Sequence, residues 1–134
     1  MTILRTLLGL AVATPALAAD PALQLELNRL EPVEAGCRAY LVLKNAGEAL
    51  ESLELDLVGF GTDGVIRERL AVELGPLPAA KTSVRLFDLG GGDCAGLGSL
   101  LVNDVLACRG AGGELPDCVG RIAVASRAAA ALTK

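Results

Sequence analysis

Histidine and tryptophan are missing from this chain of 134 residues, and Tyr40, Phe60 and Phe87 are its only aromatic side chains. Without histidine there is no Ser-His-Asp or Cys-His nucleophile system, no zinc hydrolase built on His ligands, and no imidazole to move protons near neutral pH. So few aromatics predict an aliphatic core of Leu, Val and Ala and leave no stacking platforms for sugars. Long apolar runs are lacking too. No stretch reaches the roughly 18 continuous apolar residues that a membrane-spanning helix needs. What is present, 52% hydrophobic and 21% charged residues with 4 cysteines, suits one compact domain rather than a disordered chain.

The N-terminus reads as a targeting segment. Arg5 supplies one positive charge, Thr6 to Val12 is apolar, and Ala16-Leu17-Ala18 places small residues where signal peptidase requires them. This pattern predicts a signal peptide over 1–18, a β domain over 19–125 and an Ala-rich tail over 126–134. The expected address is a periplasm or the outside medium, with no membrane span in the mature chain. Removing Arg5 from the 12 basic side chains leaves 11 against 16 acidic ones, a net charge of −5. Arg67, Arg69, Lys81 and Arg85 are interleaved with Glu68, Glu73 and Asp88, so no basic patch forms, and nucleic acid is excluded as a partner.

Short alternating runs divided by turn residues follow. Leu23, Leu25 and Leu27 alternate with polar residues, as do Ala39, Leu41 and Leu43, and then Leu53, Leu55 and Leu57. Thr62-Asp63-Gly64 predicts a hairpin turn, because Asp-Gly tolerates positive φ. Leu70, Val72 and Leu74 form the inward side of the returning strand, and Val84 and Leu86 that of the next. Ser99 to Cys108 is nearly continuous in apolar residues, which predicts a central strand covered on both faces. Val119 to Ala125 reads as a last short strand, and Ala128 to Ala131 as a frayed end or a single docked turn. About seven strands in this length predict an all-β, immunoglobulin-like, two-sheet antiparallel sandwich.

Leu41-Val42-Leu43-Lys44-Asn45, Leu53 to Phe60, Asp63-Gly64-Val65, Leu77-Pro78 and Phe87 together resemble the FxLyD type of bacterial extracytoplasmic β-sandwich. The resemblance implies that a strand ends in Asn, that the next ends near Phe and a D-G turn, and that a Leu-Pro loop precedes a strand carrying Phe. Leu100 to Cys108 is similar to a set of small exported bacterial proteins, which implies a link to proton-channel-driven systems of the ExbB/ExbD kind. Neither resemblance supplies an activity.

Four cysteines in an exported chain predict disulfides, since the compartment is oxidising and no two cysteines lie two to four residues apart as zinc or redox motifs require. With the strands running up and down in sequence order, Cys37 and Cys94 lie at one end and Cys108 and Cys118 flank a loop at the other. The expected bridges are therefore Cys37–Cys94 and Cys108–Cys118. Other motifs dissolve: Gly91 to Gly96 has the spacing of a phosphate loop, but Leu97 and Gly98 stand where Lys and Ser or Thr belong. The acids form no D-x-D-x-D-G calcium loop. No cofactor, metal or catalytic residue is expected.

The function expected is that of a non-catalytic interaction module of the envelope, meeting a protein partner. The alternative is a protease or hydrolase inhibitor, or an atypical enzyme that relies on carboxylates. The candidate interface is Phe60, Asp63 and Asp93 at the end clipped by Cys37–Cys94, where Phe60 would serve as an anchor within a polar rim. The competing assignment for Phe60 is a cap on the core.

Overall fold

The structure, a computed structural model, describes residues 9–15 and 22–134. Most of the expected signal segment, including Ala16-Leu17-Ala18, lies outside the described residues, and 9–15 are exposed without regular structure.

Nine strands and one helical turn follow in chain order. They are β1 (Leu23–Val33), β2 (Gly36–Asn45), β3 (Ser52–Gly61), β4 (Ile66–Glu73), β5 (Lys81–Leu89), β6 (Leu97–Gly110), β7 (Gly113–Glu114), α1 (Cys118–Arg121), β8 (Ile122–Ser126) and β9 (Ala131–Thr133). They build two sheets, one ordered β5-β2-β1-β8 and the other β4-β3-β6-β7, with β9 beside β6. The all-β, disulfide-stapled sandwich is thus as expected, but the strands do not run up and down in sequence order. β2 lies between β1 and β5, and β3 between β4 and β6, so the chain repeatedly crosses from sheet to sheet. Two of the pairings, β1 with β8 and β6 with β9, are parallel rather than antiparallel.

The alternating leucines set the register. Leu23, Leu25 and Leu27, Ala39, Leu41 and Leu43, and Leu53, Leu55 and Leu57 all point into a shared aliphatic core. Burying each leucine contributes about 1.5–3 kcal/mol, which is how a core so poor in aromatics holds. At one end of the sandwich the chain after β2 is closed by Asn45, whose Nδ2 donates to the carbonyls of Glu48 (2.9 Å), Leu77 (3.3 Å) and Pro78 (3.2 Å). This satisfies a polar side chain that is otherwise buried.

Three expectations need correction. Val84 and Leu86 point outward, each 51% exposed, because Leu89 opposite the buried Cys37 fixes the parity of β5 and turns Ser83, Arg85 and Phe87 toward the inner side. β6 is central in its sheet but not covered on both faces. Leu100 and Val102 are buried while Leu106 is exposed, and register shifts opposite Glu54/Leu55 and Asp56/Leu57 account for the unbroken apolar run. The tail over 126–134 is neither frayed nor a docked turn: β9 adds to the β6 sheet, and Leu132 within it and Ala130 just before it are buried in the core. Ser126 prepares that return by donating from Oγ to the Ala130 carbonyl at 2.6 Å.

Candidate functional site

The hairpin joining β3 to β4 and the glycine-rich loop between β5 and β6 meet at one end of the sandwich. Gly61 N–H donates to the Val65 carbonyl (2.8 Å) and Gly64 N–H to Gly61 (3.0 Å), which closes the turn expected at Asp63-Gly64. Thr62 N–H then donates across to the Gly96 carbonyl at 3.0 Å, so the two loops are stitched together. Beneath them, the Cys37–Cys94 disulfide ties the start of β2 to the glycine-rich loop. The second bridge, Cys108–Cys118, ties the end of β6 to α1. Both pairings are those expected, though Cys37 meets Cys94 because β5 runs beside β2 and delivers the loop to it, not because the strands run up and down.

Gly36 shows how tightly the chain passes there. Its φ of +153° lies in the range that favours glycine, and a Cβ on it would stand 2.2 Å from the Leu89 carbonyl oxygen.

A residue that the sequence presents only as one of several interleaved charges organises this end. In the pairing of β3 with β4, Gly59 faces Glu68 but Phe60 faces Ile66, which leaves Arg67 as the extra residue of a β-bulge. A bulge re-aims a side chain. Here Arg67 and Glu68, neighbours that a regular strand would send to opposite faces, both reach the glycine-rich loop. The Glu68 carboxylate accepts from Gly90 N–H (3.1 Å) and Gly91 N–H (2.9 Å). Arg67 Nε donates to the Gly91 carbonyl (3.2 Å) and Nη2 to the Asp93 carbonyl (3.0 Å), while Nη1 is buried with no acceptor among the described residues. Gly92 is required beneath the guanidinium, since a Cβ there would sit 2.1 Å from Nη2.

Asp63 and Asp93 come together around one open concavity of about 380 Å³, shared with Thr62, Val65, Arg67 and Gly92. Each fixes its own loop with one oxygen: Asp63 Oδ1 accepts from Val65 N–H (3.0 Å) and Asp93 Oδ1 from Gly96 N–H (2.9 Å). Phe60 does not line the concavity. It lies on the outer face of the β3 sheet, half-buried between Ile66 and Ser99, and is not packed against the core. Val65 and Ile66 beside it are 62% and 61% exposed, and neither appeared among the candidate residues read from the sequence. The signal for them was the place where apolar alternation fails, at Val65-Ile66, immediately after the turn.

On the same outer face, Asp56 is only 3% exposed and is held by Arg69 Nε and Nη2, both at 2.9 Å, and by Asn103 Nδ2 at 2.9 Å. The Arg69 guanidinium and the Asn103 amide lower its pKa from 3.8 to about 2. Arg69 and Asn103 together satisfy the buried carboxylate, which makes the cluster a structural one. No three His, Cys, Asp or Glu side chains among the described residues gather as metal ligands. At the far end, a cavity of about 60 Å³ lies between Leu23, Leu53 and the Cys108–Cys118 bridge, smaller than the space a cofactor fills. No family model, curated protein or solved structure matches this chain.

Proposed function

We propose that the chain is an exported, non-catalytic recognition module of the cell envelope that meets a protein partner through the hairpin end of the sandwich. The observation that carries this reading is the position of Phe60, one of three aromatics in the chain, outside the core and beside the exposed Val65 and Ile66. Aromatic anchors flanked by polar groups dominate protein interfaces, and the concavity edged by Asp63 and Asp93 opens at the same end of the sandwich. Rigidity supports it further. Loops held by a disulfide, by Arg67 and by Glu68 lose little entropy when they bind. The two disulfides support an oxidising compartment.

The test pairs binding with stability. Wild-type protein immobilised against an envelope fraction should retain a partner that Phe60→Ala and the double variant Asp63→Lys/Asp93→Lys lose. Melting temperatures should stay within about 3 °C, as for surface substitutions. Glu51→Lys, at the opposite end of β3, should retain the partner. A large fall in melting temperature for Phe60→Ala, or unchanged recovery with the double variant, would remove this end as the interface.

A further inference from the structure

We propose that β4 is a self-association edge, pairing antiparallel with β4 of a second copy about Ala71 so that Arg69 of each copy lies opposite Glu73 of the other. The first support is the direction of the backbone groups. Leu74 N–H donates to the Leu53 carbonyl at 2.8 Å, and Glu54 faces Glu73 in register. Hydrogen-bonded pairs alternate along an antiparallel ladder, so Leu70 and Val72 turn their backbone groups toward β3, as the Leu74 N–H does. Arg69, Ala71 and Glu73 therefore turn theirs to the free side, where β4 is the last strand of its sheet.

Both ends of that edge are occupied and its centre is not. Glu68 takes up Gly90 and Gly91 at one end, and Arg85 Nε and Nη2 cover the Leu74 and Pro76 carbonyls at the other, at 2.9 and 2.8 Å. Between them Arg69, Ala71 and Glu73 are exposed, with no proline, lysine or bulge of the kind that guards an edge. The three outward-facing residues fit a pairing centred on Ala71, in which Ala71 faces itself and Arg69 faces Glu73 on both sides of the axis.

Charge chooses the second copy as occupant. A register centred on Arg69 or on Glu73 would set like charges against themselves, whereas the one centred on Ala71 makes two opposite-charge pairs. Glu73 has an unmet need for such a partner: it stands directly across from Glu54, and neither is in an ion pair among the described residues. Arg69 commits Nε and Nη2 to Asp56, which leaves Nη1 for a second carboxylate. On the inner side, Leu70 and Val72, partly buried at the open margin of the core, would each gain the other as neighbour. An overlap of about five residues is small beside a standard interface, so the dimer is reversible and concentration-dependent.

Sedimentation of the purified domain from about 10 μM to about 1 mM should show a monomer–dimer equilibrium. Glu73→Lys, which keeps every backbone group, should raise the dissociation constant at least about tenfold by turning two attractions into two repulsions. Ala71→Pro should abolish the dimer, since the lost N–H faces away from β3 and the monomer does not use it. Should Ala71→Pro fail to fold, Glu73→Lys decides alone. Val84→Lys, on the neighbouring edge strand β5, should leave association unchanged. A protein monomeric throughout the range, a dimer that survives Glu73→Lys, or one broken by Val84→Lys would each overturn the proposal.

Discussion

Asp56 shows what a single buried carboxylate does for this fold. It projects from the outer face of β3, yet Arg69 from β4 and Asn103 from β6 close over it, so one side chain pins three strands. Its folded pKa of about 2 lies below the ordinary 3.8, so the folded protein resists protonating it. The stabilisation is whole above about pH 4 and drains away as pH falls toward 2. Urea unfolding at pH 6, 4 and 3 should therefore show wild type losing stability steeply over the lower interval. Asp56→Asn should start lower at pH 6 and fall less. Glu26 and Asp88, held below their ordinary range by Asn28 and Arg38, contribute their own acid slope to both proteins and cancel in the comparison. Parallel curves would show that Asp56 gains nothing from its charge.

Among the elements, β4 carries a bulge at Arg67 that re-aims two side chains onto the glycine-rich loop. Arg67 holds the glycine-rich loop by two carbonyls, so Arg67→Ala should speed amide hydrogen exchange over residues 90–96 while β1, β2 and β3 keep wild-type protection. Unchanged exchange in that loop would mean that Glu68 and the disulfide suffice to hold it. The same strand marks the limit of what the amino-acid pattern discloses. Leu53, Leu55 and Leu57 announce β3 because a strand buried on one face must alternate. Arg67 and Glu68 announce nothing, since a bulge removes the alternation that would assign them a face. Val84 and Leu86 mislead for a different reason. β5 lies at the edge, where the inner position of Arg85 is filled by a long chain that reaches the Leu74 and Pro76 carbonyls, so polarity no longer reports burial. Asp63 and Asp93 share one concavity because β5 pairs with β2 and delivers the glycine-rich loop to that end, a pairing the up-and-down order does not contain. The parallel return of Ala131–Thr133 is not legible, because three residues carry too short a pattern and the pairing with β6 is made across the whole domain.

At the scale of the whole molecule, the two disulfides sit at opposite ends and constrain very different lengths of chain. Cys37–Cys94 spans a separation of 57 residues and encloses most of β2 with β3, β4 and β5, whereas Cys108–Cys118 spans 10 and encloses only the last residues of β6, β7 and the approach to α1. If each bridge acts by restricting the unfolded chain, the loop lengths correspond to about 4 kcal/mol for the first and about 3 kcal/mol for the second. Cys37→Ser/Cys94→Ser should accordingly lower the urea unfolding free energy by about 1 kcal/mol more than Cys108→Ser/Cys118→Ser. The long bridge also locks the loop that Arg67 and Glu68 hold, so, on the proposed function, its removal should cost the proposed binding at the hairpin end even at temperatures where the sandwich stays folded. Loss of the short bridge, remote from that end, should leave binding intact. A reversed order of stabilities would place the stabilisation in native contacts around α1 and the end of β6 rather than in chain entropy. Equal effects of the two removals on binding would disconnect the proposed interface from the clip beneath it.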